Sequence, residues 1–330
     1  MPEARRHHFV SQCYLKGFTS DGTKDGQLFV VNVADGSTFS TRPINVAVER
    51  DFNAVEGRPA GELEGKLAKL ESFLGASLDR VVSAKSIENY DDWWAVLNLI
   101  AMFSVRNPRF RNTVGDFIAD LSQKMMSLAL ATPERWASQV AAMKAAGVFG
   151  EDRKEVAYED LKRFHESGKY DIKVSRGYRI ALEMEAIKPV LETMEKRNWT
   201  LLIAGSETGG FITIDHPVCL TNQDGLPSSF QNPVGHGTAG SALIIPISQN
   251  LLAIGTFGGK TDVVHATKIQ VALLNGMVAP FAERQIYAAS DQFQIFISGN
   301  TSPKSGVELA EYIASKTKAA KSEQTGSQSS

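Results

Sequence analysis

Residues 242–255 read ALIIPISQNLLAIG, two short apolar runs on either side of Ser248, Gln249 and Asn250. Each run is too short for a stable helix and is bounded by turn-forming residues, so the spacing predicts buried strands over Ala242–Ile247 and Leu251–Gly255. Working outward, Trp199–Ala204 and Phe211–Ile214 have the same character upstream, and Gln285–Ala288 and Phe293–Ser298 have it downstream. Strands also open the chain. Gln27–Val33 is rich in β formers, Asp35-Gly36 supplies a turn, and Ser37–Arg42 returns as a partner, which predicts a hairpin.

Between these flanks the period changes from two to between three and four. Leu63, Leu67, Leu70, Leu74, Leu78 and Val81 form one helical stripe beginning at Glu62. A second helix is expected from Asp91 to Val105, and a third after Asn107-Pro108. The third carries Phe110, Val114, Phe117, Leu121, Met125 and Leu128 on one face. Thr132-Pro133 repeats the cap-then-proline signal for a fourth helix ending near Ala146, where Gly147 and Gly150 break the pattern. Shorter helices are expected over 153–167 and 176–197, the latter kinked by Pro189, and one more over Val263–Phe281. Strands at both ends with helices between them predict an α+β fold, mostly helical over about 62–197, with both flanks packing as one module. That module is expected to span 1–317, and the polar residues 318–330 to be disordered.

The 330 residues are 43% hydrophobic and carry 35 basic against 37 acidic side chains, a net charge of −2. That balance excludes a global attraction to polyanions, so contact with nucleic acid would need a local patch. Neither a secretory signal nor a run of roughly 20 apolar residues is evident, and the reading expects a cytoplasmic protein without membrane contact. Cys13 and Cys219 are expected to be buried and reduced. The stretch Gly255 to Thr261 has three residues between its first glycine and Gly-Lys-Thr where a phosphate-binding loop needs four, which leaves it a surface turn.

The residue types that carry chemistry lie elsewhere. His7-His8 opens the stretch HHFVSQCYLKGF, in which adjacent imidazoles sit among apolar residues. Either ring can serve as a general base or metal ligand, or be a hydrogen-bonded buried side chain. Asp51 and Glu56 follow the β entry, where they can converge on a pocket or act as helix caps. Asp215-His216 is delivered to the end of the run Phe211–Ile214 and halted by Pro217. Arg106 and Arg109 flank Asn107-Pro108 and need an anionic partner, either a ligand or a neighbour such as Glu64 or Glu71. Glu64 and Glu71 themselves, seven apart, are expected as solvated charge beside Lys66 or Lys69.

These stretches are similar, in order, to the domain of unknown function 4238 family. HHFVSQCYLKGF resembles its His-His, Val-Pro-Gln, Tyr-Leu opening, and Asn45-Val-Ala with Asp51-Phe52 and Glu56 resembles its Asp-Phe-Tyr and acidic block. Glu64 and Glu71 resemble its Glu-rich helix, and Arg106-Asn-Pro-Arg109 with Arg111 its Arg-x-Pro segment. Asp215-His216-Pro217-Val218 resembles Asp-Asn-Pro-Val, and Leu274-Asn275 with Ala282-Glu-Arg284 its closing helix. The likeness covers roughly residues 7–290. Ser11, Asn53 and His216 depart from the usual proline, tyrosine and asparagine. The resemblance implies no activity.

Two functions are therefore expected from the residues themselves. The first is a metal-assisted phosphodiester hydrolase, a nuclease in a defence or toxin setting. In it His7, His8, Arg106 and Arg109 do the chemistry, while Asp51, Glu56, Asp215 and His216 hold Mg²⁺, Mn²⁺ or Zn²⁺. The second is a non-enzymatic module in which the His/Arg/Asp cluster fixes the N-terminal segment and recognises a small anionic ligand or a partner protein.

Overall fold

In a computed structural model of the chain, residues 5–59, 61–148, 156–225, 229 and 233–327 are described. The fold is α+β, with a helical middle and strand-rich flanks. Where the sequence predicts one module over 1–317, the chain divides into two compact units, residues 1–107 with 182–330 and residues 108–181. Among the described residues no helix is long and apolar enough to cross a membrane.

The chain begins with β1 (Arg6–His8), α1 (Gln12–Leu15), β2 (Leu28–Asn32), β3 (Thr38–Thr41) and β4 (Val48–Arg50), then enters α2 (Glu62–Ala84) and α3 (Tyr90–Val105). The unit formed by residues 108–181 contains α4 (Pro108–Ala129), α5 (Pro133–Ala145) and α6 (Tyr158–Glu166). Thr132 caps α5 by accepting the Arg135 N–H at 3.3 Å, and Gly147 leaves it at φ +67, as the cap and breaker signals predict. Gly150 and residues 153–155 of the expected next helix lie outside the described residues.

Next come α7 (Arg176–Glu195), β5 (Asn198–Ala204), β6 (Thr213–Ile214), β7 (Cys219–Asn222), β8 (Ser241–Ser248), β9 (Leu251–Thr256) and β10 (Asp262–Ala266). The chain ends in α8 (Lys268–Val278), β11 (Gln285–Ala288), β12 (Gln294–Ile295), β13 (Lys304–Ser305) and α9 (Gly306–Ser327). The expected helix over Val263–Phe281 is therefore shorter. Val263–Ala266 instead pairs in parallel with Leu201–Ala204, and Thr267 starts α8 through a capping box with Gln270. Helix α9 runs through the expected polar tail as far as Ser327; alanine, lysine, glutamate and glutamine there are good helix formers. The final three residues lie outside the described ones.

The quoted hairpin forms the middle of a five-stranded sheet ordered β10-β5-β9-β8-β7. Both faces of the hairpin strands are covered, which is why they read as apolar runs. Leu201, Ile203, Leu243, Ile245 and Ile247 face one core with α2, α3 and the α1 segment. Leu202, Ala204, Ile244 and Leu252 face a second core with α8 and α9. The N-terminal hairpin joins the C-terminal flank in a second sheet, β3-β2-β11-β6, with Phe29 opposite Ala288. The two ends of the chain thus share one sheet.

Trp199 fixes how closely these layers approach. Its Nε1 donates to the Met194 carbonyl at 3.1 Å, and its ring meets Trp93 edge-on at 5.3 Å. A Cβ at Gly255 would lie 2.7 Å from that held ring. Gly255→Ala is expected to lower stability by about 1–3 kcal/mol, read as a lower melting temperature; an unchanged melting temperature would contradict this packing.

Candidate functional site

Strand β1 places the two histidines differently because successive side chains point to opposite faces. His7 is 2% exposed, and its Nδ1 accepts the Asn53 backbone N–H at 2.9 Å, which puts the ring proton on Nε2. The half-buried His8 ring is bonded to the Pro43 carbonyl, and burial, the largest influence on it, lowers its pKa. Its Nε2 is buried and without a hydrogen-bond partner.

Arg106 follows α3, a helix buried on nearly every side. Its backbone N–H closes the last turn onto the Met102 carbonyl at 2.7 Å, and the Asn107 amide donates to the Phe103 and Ser104 carbonyls. The guanidinium is therefore anchored where a helix C-terminus favours a cation. Its side chain is 1% exposed and donates from Nη2 to Glu71 Oε1 at 2.7 Å and to the His8 carbonyl at 3.2 Å. Arg106 Nε and Nη1 are buried with no partner.

The carboxylates come from α2. Glu64 and Glu71 fall in the stripe of Leu67, Leu74 and Leu78, all buried, so they face inward and are not the solvated charge expected from their spacing to Lys66. That lysine pairs with Glu62 instead, at 2.6 Å. Asn53 Nδ2 donates to Glu64 Oε2 at 2.5 Å, while Asn53 Oδ1 has no partner. Burial pushes the Glu71 carboxyl above its usual range, opposed by Arg106 and reinforced by Glu64. His7, His8, Asn53, Glu64, Glu71 and Arg106 thus form one polar cluster among β1, α2 and the end of α3.

The expected metal ligands do not join it as a set. Asp51, at φ +56, is ion-paired with Arg5 and lies 3.7 Å from Arg50; Arg5 above all holds its carboxyl below the usual range. Glu56 is exposed. Asp215 is 5% exposed and accepts the Glu283 and Arg284 backbone N–H groups at 3.0 and 2.8 Å; burial is the main cause raising its carboxyl. His216 lies near His236, whose pKa falls to about 4 through burial first, then Arg197 and His216. Among the described residues, no group of three or more histidines, cysteines, aspartates or glutamates is arranged to hold a metal ion. Arg109 is exposed and belongs to the other compact unit.

Two polar residues carry roles that their sequence context did not single out. Asn53 links His7 to Glu64 from a position where the similar family usually has tyrosine. Arg197, 4% exposed, bonds the Ser241, Gly255 and His236 carbonyls and the Ser241 hydroxyl, and its guanidinium stacks on Phe257 at 4.2 Å. Burial lowers its pKa to about 10. Nothing in the residues flanking Arg197 signals this role.

The family described as "Protein of unknown function (DUF4238)" matches residues 6–292. The chain belongs to this family. Its match takes in β1, α2, Arg106 and Asp215, and hence every residue of the cluster. No curated protein and no solved structure matches the chain.

The raised Glu71 pKa has a defined consequence. A carboxyl whose folded pKa exceeds its unfolded value contributes stability below the unfolded pKa and loses it as pH rises through the folded one. Glu71→Gln keeps a neutral side chain throughout, so its stability relative to wild type should increase between about pH 4 and 7. Urea denaturation across that range measures the difference. A difference independent of pH would contradict the burial argument.

Proposed function

We propose that the protein is a non-enzymatic recognition module that takes up a small anion at Arg106. One observation carries this reading: a guanidinium 1% exposed, with Nε and Nη1 lacking partners. A buried donor without an acceptor costs about 1–3 kcal/mol, and a carboxylate, phosphate or phosphate ester supplies the missing acceptors. Of the ion pair, Glu71 is the more exposed member, at 17% against 1% for Arg106.

Glu71 is also the competitor for Arg106. Protonating it removes the negative charge from the guanidinium, and burial already pushes the carboxyl toward that state. Anion uptake is therefore linked to proton uptake and strengthens as pH falls. The other charged or titratable neighbours of Glu71 are Glu64, Lys24 and Cys13; Arg6, Glu64 and Arg106 act on His8. Protonation of His8 would act in the same direction as that of Glu71, so the glutamate must be tested by its own variant. Hydrolysis of a phosphodiester with a metal ion would need Asp51 to leave Arg5, and Asp215 its two backbone amides, before they shared an ion.

Calorimetric titration of the full chain with inorganic phosphate and with acetate, at about pH 5.5 and 7.5, tests the reading. Wild type should bind one probe at least tenfold more tightly at the lower pH, a difference of about 1.4 kcal/mol. Glu71→Gln should bind with a clearly smaller difference between the two. Arg106→Lys, checked for folding by circular dichroism, should lose about tenfold. Folded wild type that binds neither probe, or an Arg106→Lys protein that binds as well as wild type, would overturn the proposal.

A further inference from the structure

The unit formed by residues 108–181 carries an open cleft of about 420 Å³ between the C-terminal part of α4 and one face of α6, lined by Ser127, Leu130, Ala131, Lys162, His165 and Glu166. That size suits a small-molecule ligand. Tyr158 donates to the Leu130 carbonyl at 2.8 Å and ties α6 to the end of α4.

The most reactive-looking pair in the cleft is already committed. Ser127 Oγ donates to the Gln123 carbonyl at 3.0 Å and lies 2.7 Å from His165 Nε2, while His165 Nδ1 meets the Tyr170 hydroxyl. With Ser127 Oγ donating to the Gln123 carbonyl, its contact with His165 is a bond when Nε2 carries a proton and donates to Ser127. A nucleophilic Ser127 would have to turn its proton to Nε2 and abandon the Gln123 bond. Ser127, His165 and Tyr170 therefore make a fixed polar wall.

Two charges remain for a ligand. Lys162 and Glu166 stand four residues apart on α6, the spacing at which a lysine and a glutamate face the same side, and both line the cleft. Among the described residues they form no ion pair with each other, and Lys162 lies over the Tyr158 ring, 5.9 Å from its centre. A cation and an anion kept apart beside the apolar Leu130 and Ala131 match a molecule with both charges on one carbon and an aliphatic tail.

We infer that this cleft binds a free α-amino acid with an aliphatic side chain. Its carboxylate meets Lys162, its ammonium meets Glu166, and its side chain lies on Leu130 and Ala131. The site draws on nothing at Arg106, so the two readings stand or fall separately.

The test is titration of the full chain with leucine, 4-methylpentanoate, 3-methylbutan-1-amine and phosphoethanolamine, followed by nuclear magnetic resonance. Leucine is expected to bind saturably, and each single-charge analogue at least tenfold more weakly. Lys162→Met should erase the advantage of leucine over the amine, and Glu166→Gln its advantage over the carboxylate. Absence of saturable leucine binding, or equal binding of either single-charge analogue, would overturn the inference. Tighter binding of phosphoethanolamine than of leucine would overturn the amino-acid assignment in favour of a headgroup-like zwitterion.

Discussion

The Arg106 guanidinium ties three segments to one another through side-chain and backbone hydrogen bonds. From the end of a buried helix it bonds the His8 carbonyl on β1 and the Glu71 carboxylate on α2. Hydrophobic burial brings α2 and α3 together without help, through Leu67, Leu74, Leu78 and the α3 core residues. It does not by itself select where a three-residue polar strand lies. That selection falls to the pairing of β1 with β4 and to hydrogen bonds: Asn53 to His7, Asn53 to Glu64, and Arg106 to His8. Such a network raises specificity when every member is satisfied and is costly when one is not. This network leaves Arg106 Nε and Nη1, His8 Nε2 and Asn53 Oδ1 without partners, and that incompleteness is what supports a ligand.

The elements legible in the sequence were those with a local cause. The hairpin 242–255, the leucine stripe of α2 and the capped start of α5 each follow from spacing and turn chemistry within a short window. Strand β10 looks helical from sequence because Val263 and Val264 fit either period, and its parallel pairing with β5 decides between them. From their nearness to lysines, Glu64 and Glu71 look like solvated charge. Their spacing from Leu67, Leu74 and Leu78 was the better signal, since it puts them in the buried stripe. The site residues separated by long stretches of chain carried no such signal, because whether His8 meets Arg106 depends on tertiary packing.

Two residues in the stretches that resemble the family, Asp215 and Asn275, have structural work of their own. Asp215 accepts two backbone N–H groups before β11. Asn275 is fully buried; it accepts the Ile212 N–H and donates to the Gly210 and Gln294 carbonyls. Each replaces backbone pairing where irregular chain passes through the core. Both side chains are used by the fold, whereas Arg106 Nε and Nη1 are buried without a partner.

The most direct measurement is a crystal structure of the full chain grown at about pH 5.5 with selenate as the anion, with an anomalous difference map at the selenium edge. The account predicts a peak within hydrogen-bond reach of Arg106 Nε or Nη1, weakened or lost in Arg106→Lys. A well-ordered water at that position, with no anomalous signal at saturating selenate, would mean that the cluster is only structural and would contradict the central claim.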